Sequence, residues 1–87
     1  MTNTTPWFTY IIRCTNGSLY TGSTNHMIRR WHQHCEGTGA KYLRAHDPEE
    51  VVFVESQPNR SAACKREYEI KQLSKKEKEE IIRGLVD

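Results

Sequence analysis

The sequence predicts an α+β fold in which a small three-stranded antiparallel sheet is flanked by helices, in the order β-β-α-β-α-α. Three observations predict it: an aromatic, β-branched segment that runs into Asn16-Gly17, one later apolar strand, and segments with helical spacing of apolar residues on either side of that strand. We expect the 87 residues to form one domain over 1–87, with a core at about 7–73 and a C-terminal helix at about 75–83.

The first two strands form a hairpin that carries two tyrosines. Trp7–Cys14 is rich in aromatic and β-branched residues, and Ser18–Ser23 is the returning strand. Because side chains alternate along a strand, a loop of two or four residues places Tyr10 and Tyr20 on opposite faces, whereas a three-residue loop places them on the same face. Gly17 suits the left-handed position of a three-residue loop, and we therefore predict that loop.

The first helix follows the hairpin. Asn25 is the predicted cap of a helix over His26–Glu36, which ends before Gly37 and Gly39. A short helical turn over Ala40–Arg44 is expected next. The predicted buried stripe of the helix consists of Met27, Ile28, Trp31 and Cys35.

A third strand over Val51–Glu55 is apolar enough to be predicted at the centre of the sheet. Pro58 stops it, and Asn59 or Ser61 caps a helix over 60–73. The residues that this helix is expected to bury are Ala63, Ile70 and Leu73.

Ser74 and Glu77 have the spacing of a capping box, so Lys75–Arg83 is predicted to be a separate last helix. The residues expected to dock it are Ile81, Ile82 and Leu85.

The composition is that of an ordinary globular protein, with 36% hydrophobic and 28% charged residues. The formal net charge of +2 is too small to identify a partner, although basic residues can still cluster locally. The three cysteines are odd in number and no secretory signal precedes them, which indicates free thiols and a cytoplasmic location. No apolar run approaches the ~20 residues that cross a bilayer, so no membrane partner is expected.

Five residues could supply phosphoryl-transfer chemistry if they face one cleft. The hairpin carries Tyr10 and Tyr20, the first helix carries Arg30 and His34 one turn apart, and the second long helix carries Glu67. A carboxylate can hold a hard divalent cation, and a guanidinium can stabilise charge on phosphate oxygens. A phenol can position or deprotonate water, but its ordinary pKa is about 10. It therefore needs positive charge or a metal-bound water beside it to act at neutral pH.

These residues stand in an order that resembles the GIY-YIG endonuclease superfamily, in particular its small single-domain bacterial branch. The matching segments are Phe8-Thr9-Tyr10, Tyr20-Thr21-Gly22 ten residues later, Arg30 after a further ten, Gly39–Arg44 and Asn59–Glu67. Each segment alone is a weak signal, whereas the ordered set with its spacing is specific.

The resemblance implies a DNA endonuclease that uses one Mg²⁺ or Mn²⁺ ion. It implies catalytic roles for Tyr10, Tyr20, Arg30 and His34, and metal binding by Glu67. It also implies that Gly22 is the glycine of the second motif. Lys41 and Arg44 are predicted from their charge to contact the phosphates of nucleic acid. Branched, nicked or unpaired DNA, and a role in repair, are the substrates and setting that the resemblance suggests.

Simpler interpretations stay open for each residue. The tyrosines could be strand aromatics, Arg30 a solvated charge, and His34 a hydrogen-bonded core residue. Glu67 could form a surface ion pair with its neighbour four residues on. The basic residues predicted to contact nucleic acid could simply be surface charge. A zinc site is a further alternative for His32, His34 and Cys35, although these residues lack a second ligand pair.

Two other functions compete with the nuclease. One is a nucleic-acid-binding module with this fold and little or no turnover, and the other is an interaction subunit of a larger repair complex. The sequence does not separate DNA from RNA, and it leaves the oligomeric state open.

Overall fold

A computed structural model describes residues 6–84, which contain three strands and four helices. In chain order they are β1 (Trp7–Cys14), β2 (Leu19–Thr24), α1 (Met27–Cys35), α2 (Lys41–Ala45), β3 (Pro48–Gln57), α3 (Arg60–Lys71) and α4 (Lys75–Ile82). The predicted α+β class and element order are confirmed, and α2 is the short helical turn expected after Gly39. None of the helices within this described part is long and apolar enough to cross a membrane.

The sheet is antiparallel and has the order β2-β1-β3. The central strand is therefore β1, and Tyr10, Ile11 and Ile12 in it are fully buried. The prediction that Val51–Glu55 lies centrally is wrong: β3 is an edge strand, and Val54 is 48% exposed. An apolar run shows that a strand packs on a core, but the number of its neighbours depends on pairing between distant segments.

The hairpin has the predicted three-residue loop. Cys14 N–H donates to the Ser18 carbonyl at 2.9 Å, and Gly17 has a φ of +87°. Ile12 pairs with Tyr20, so Tyr10 and Tyr20 lie on the same face of the sheet, as predicted.

Opposite faces of the sheet pack against different helices. On the first face, a buried cluster combines three β1 residues with Leu43 of α2, and partly buried residues of α1 pack against it. On the second face, Thr9 Oγ1 donates to the carbonyl of Ala63 in α3 at 3.0 Å. The tyrosines therefore face α1 and α2, while residues that alternate with them face α3.

The start and the buried side of α1 differ from the prediction. His26, not Asn25, is the N-cap: its Nδ1 accepts from Arg29 N–H at 3.2 Å. Ile28 is 70% exposed and Cys35 is also exposed, whereas His34 is buried. The inward residues are Met27, Trp31 and His34, because positions i, i+4 and i+7 share one face of a helix. Ile28 directly follows Met27 and therefore points about 100° away from that face.

The caps of the last two helices agree with the sequence. Asn59 Oδ1 accepts from Ala62 N–H at 2.8 Å, which decides between the two predicted caps of α3. Ser74 and Glu77 form the predicted capping box of α4. Ala63, Ile70 and Ile81 are buried as expected, Leu73 and Ile82 are half-buried, and Leu85 lies outside the described residues.

Candidate active site

Three aromatic rings from three elements meet on the α1 side of the sheet. The ring centroids of Tyr10 and Tyr20 are 6.4 Å apart, and the His34 ring lies 5.9 Å from the first and 5.6 Å from the second. Tyr10 is fully buried, whereas Tyr20 is partly exposed. The structure thus brings together three of the predicted site residues and leaves one phenol accessible.

His34 is held by hydrogen bonds at both ring nitrogens. Ala40 N–H donates to Nδ1 at 3.3 Å, so Nδ1 is an acceptor. The ring proton then resides on Nε2, which lies 2.8 Å from Tyr10 Oη and donates to it. Burial, aided by the charge of Arg30, lowers the pKa of His34 to about 4. His34 is therefore a neutral, buried residue that fixes the Tyr10 hydroxyl, as the interpretation of a hydrogen-bonded core residue predicts; its catalytic role stays a prediction.

We expect this histidine to make folding stability depend on pH. Its pKa is about 4 in the folded chain against an ordinary value of 6.5, so protonation favours the unfolded state. The stabilising contribution is complete above about pH 6.5 and is lost as the pH falls towards 4; the total is about 3 kcal/mol. The pH dependence of the free energy of unfolding is measured by urea unfolding of the wild type and of His34→Gln between pH 7 and pH 4. Equal pH dependence in both proteins would contradict the expectation.

Gly22 lies directly under the Tyr10 ring. A Cβ at this position would stand 2.5 Å from Tyr10 Oη, 2.7 Å from its Cζ and 3.1 Å from Tyr20 Cε2. The predicted motif glycine therefore allows both phenols to pack against β2, and Gly39 plays the same part beside the His34 ring.

Replacing Gly22 by alanine is expected to destabilise the fold by about 1–3 kcal/mol, because a buried ring must move to admit the new methyl group. Chemical denaturation measures this loss. Gly37→Ala is the matched control, since nothing lies within 4 Å of a Cβ there and only its φ of +78° is strained. Near-ultraviolet circular dichroism should change for Gly22→Ala alone; an unchanged tyrosine signal would argue against ring displacement.

Burial and nearby charges act on both phenols. Burial raises the pKa of Tyr10 to about 12; Arg30 opposes this, while Tyr20 and Glu67 add to it. Burial also raises the pKa of Tyr20. The positive charges of Lys71 and Arg30 lower this pKa, and the negative charge of Glu67 raises it. Both phenols are protonated at neutral pH. The charges of Arg30 and Glu67 thus act on the pKa of both phenols, and two cations, Lys71 and Arg30, favour the phenolate of Tyr20.

Arg30 projects from α1 into a cavity of about 340 Å³. Its Nη1 donates to Gln33 Oε1 at 3.1 Å, which orients the guanidinium. The lining residues are Trp7, Ser23, Thr24, Asn25, Arg29, Arg30 and Gln33. The cavity thus has positive charge at its wall, from Arg29 and Arg30.

Glu67 projects from α3 towards β2. Ser23 Oγ lies 2.6 Å from Glu67 Oε1 and donates to it, and Lys71 Nζ donates to Oε2 at 2.6 Å. The surface ion pair weighed against metal binding is therefore present, although the Glu67 side chain is only 23% exposed. Ser23 connects this carboxylate to the cavity that Arg30 lines.

The donor set around Glu67 has one carboxylate. Within residues 6–84, no group of three or more His, Cys, Asp or Glu side chains could hold a metal ion. Mg²⁺ is commonly held by one or two carboxylates, with water and substrate phosphate oxygens completing its shell. Glu67 fits that mode of binding, provided that Lys71 releases the oxygen it now occupies.

Two site features escape sequence reasoning. Ser23 becomes visible as a partner of Glu67 only when the strand register and the position of α3 are known. Tyr42 of α2 stacks on Tyr20, with centroids 5.9 Å apart, and on His46 at 4.2 Å. Its exposed neighbours on α2 are Lys41 and Arg44, whose contact with nucleic acid stays a prediction.

The sequence model of the GIY-YIG catalytic domain matches residues 6–80. The chain belongs to the GIY-YIG family. The resemblance carried by the two tyrosine motifs and the arginine is thus confirmed, and Tyr10 and Gly22 occupy directly paired positions in this GIY-YIG domain.

Several bacterial proteins named UPF0213 are similar to this GIY-YIG domain. One from Vibrio cholerae is 47% identical over 81 residues, which are 92% of this chain and 80% of that protein. One from Cronobacter sakazakii is 46% identical over 78 residues, 90% of this chain and 82% of that protein. The solution NMR structure of a UPF0213 protein from Bacillus halodurans has a TM-score of 0.58 and 38% identity, and the match covers 90% of this chain and 83% of that one.

Proposed function

We propose that this GIY-YIG domain is a metal-dependent endonuclease that hydrolyses phosphodiester bonds in DNA, at branched, nicked or unpaired sites. The observation that carries the proposal is the accessible phenol of Tyr20. It lies against the fixed Tyr10–His34 pair, where the charges of Arg30 and Glu67 both act on it. These are the groups that phosphodiester hydrolysis requires: a proton acceptor, a cation for the phosphate and a carboxylate for a metal.

Arg30 binds and neutralises the phosphate. Its guanidinium lines the cavity and is oriented by Gln33, so it can direct two donors at the non-bridging oxygens. These contacts strengthen as negative charge builds up on the oxygens during attack by water.

Tyr20 takes the proton of the attacking water. Its own proton must first pass to solvent, because burial raises the pKa of the Tyr20 hydroxyl and keeps it protonated at neutral pH. Lys71 and Arg30 favour the phenolate, which then accepts the proton of water. Tyr10, with no exposed surface, is a positioning residue that supports Tyr20 and is itself fixed by His34. Water then adds to phosphorus, the bond to one sugar oxygen breaks, and that oxygen takes up a proton from solvent. The products are one phosphate end and one hydroxyl end.

Glu67 would hold the metal ion, and Ser23 would orient its carboxylate. A bound Mg²⁺ or Mn²⁺ supplies Lewis-acid polarisation of a phosphate oxygen. The three cysteines are free, which supports a reducing compartment such as the cytoplasm for this reaction.

Incubation of the purified chain with end-labelled junction DNA and Mg²⁺ or Mn²⁺ tests the proposal. We expect cleavage that EDTA stops and that Glu67→Ala and Arg30→Ala each abolish, whereas Lys76→Ala, an exposed change on α4, leaves it intact. Cleavage that survives both site changes would contradict the proposal. A wild type that binds DNA with a strong salt dependence and never cuts it would instead indicate a binding module.

A further inference from the structure

The proposed reaction uses only two of the residues that line the cavity beside Arg30, namely Arg30 itself and Ser23. Trp7 stands at one wall, at the start of β1, and Arg29 and Asn25 stand at the end where α1 begins. Its volume of about 340 Å³ lies in the range of sites that hold small organic groups.

The walls of this cavity attract anions. Two guanidinium groups, Arg29 and Arg30, line it, and none of its described lining residues carries a carboxylate. Within residues 6–84, the Arg29 side chain takes part in no ion pair. Arg29 is therefore a cation on the cavity wall without a neutralising partner in the described part of the chain.

Trp7 offers an aromatic surface to the same space. The Arg60 guanidinium carbon lies 5.8 Å from the centre of the Trp7 ring, yet Arg60 does not line the cavity. The tryptophan is thus held by a cation–π contact with Arg60 and is at the same time part of the cavity wall.

We propose that this cavity binds one unpaired nucleotide next to the phosphate that is cleaved. The base stacks on Trp7, and its phosphate binds Arg29. The amide side chains of Asn25 and Gln33 can form hydrogen bonds with the polar edge of the base. The inference rests on the proposed function, because Arg30 and Ser23 join this cavity to the proposed catalytic centre.

An unpaired nucleotide fits these walls better than a paired one. A base inside a duplex has both faces covered by its neighbours and its edge occupied by its partner, so it cannot stack on Trp7 without leaving the helix. A groove that only follows the backbone of a duplex needs cations but no aromatic wall. The tryptophan beside the arginines is thus the feature that selects unpaired DNA.

Binding without metal tests this, since EDTA prevents cleavage and separates the inference from the reaction. Affinities for a single strand, a fully paired duplex and a forked duplex of equal length are measured by fluorescence anisotropy at one fixed salt concentration. Trp7→Ala and Trp7→Leu are expected to weaken binding of the single strand and the fork roughly 5- to 100-fold, the loss of one base–aromatic stack, and to leave duplex binding within about twofold. Trp7→Tyr, which keeps a stacking surface, should retain most of the affinity.

Matched variants exclude general effects on folding and charge. Tyr68→Ala removes an aromatic ring that is 67% exposed on α3 and should change none of the three affinities. Arg29→Gln should weaken binding of the fork more than Lys76→Gln does. Because Trp7→Leu keeps the apolar bulk, it tests stacking even if Trp7→Ala unfolds, which thermal unfolding reveals.

The outcomes separate the two proposals. The inference would be overturned if Trp7→Leu lost affinity equally for duplex and fork, or lost affinity for neither. This holds even if the protein cuts DNA in a manner that depends on Arg30 and Glu67. Selective loss of fork binding in a protein that cuts no DNA would support the nucleotide site and defeat the proposed nuclease.

Discussion

Replacing Tyr20 by phenylalanine is expected to reduce the rate of DNA cleavage by about 10²–10⁴-fold, the usual contribution of a general base. Tyr20 is the partly exposed phenol of the pair, and two cations favour its ionised form. The variant should fold normally, because its ring still packs against Tyr42 and His34. Single-turnover cleavage of junction DNA measures the effect.

Tyr10→Phe provides the decisive comparison. It removes the hydroxyl to which His34 Nε2 donates, and the buried N–H left without a partner is expected to cost about 1–3 kcal/mol of folding free energy. Its cleavage rate should fall less than that of Tyr20→Phe. Tyr68→Phe, the same chemical change at an exposed tyrosine, should alter neither quantity. If Tyr10→Phe stops cleavage at full stability while Tyr20→Phe cuts normally, the roles of the two phenols are reversed.

Arg30→Lys is expected to slow cleavage by about 10²–10³-fold, as expected for loss of an oriented donor to developing negative charge. Lysine keeps the charge but lacks the planar pair of donors that Gln33 now orients. The rate constant under saturating DNA should fall more than the affinity for DNA. Lys76→Arg, the reverse exchange at an exposed position, is the control.

The pH profile of Arg30→Gln gives an independent measure of the same contact. Arg30 lowers the pKa of both phenols, so its loss should raise them further. If Tyr20 must lose its proton before it accepts one from water, the ascending limb of the rate profile, where the rate rises with pH, should move to higher pH. A profile that stays in place while the rate falls would show that Arg30 acts on the phosphate and not through the tyrosine.

Much of the fold follows from the sequence because it depends on short-range contacts. The three-residue hairpin loop was predicted from Gly17 and strand alternation, and it places Tyr10 and Tyr20 on one face. The cap Asn59 and the capping box at Ser74 depend on residues three positions apart, and both are present. The start of α1 was misplaced by one residue because an imidazole, His26, caps it in place of the more usual Asn25.

Burial was predicted less well. Ile28 had the right spacing for a core residue but faces solvent, and His34 takes an inward place on the same helix. A polar residue can be buried there because both of its nitrogens find partners, one of them in a loop six residues away. Hydropathy alone cannot show that such partners exist.

The elements, the hairpin register and the ordered spacing of two tyrosines, an arginine and a glutamate can all be derived from the sequence, since they are properties of local segments and of the family pattern. Three features depend instead on long-range packing: β1 is central, Tyr10 is buried while Tyr20 is partly exposed, and Ser23 and Lys71 hold Glu67. The cavity that joins Trp7 to Arg29 likewise has no sequence signal. These features arise where segments far apart in the chain pack together, as Ser23 and Glu67 do across 44 residues, and packing is set by the whole core and not by any one segment.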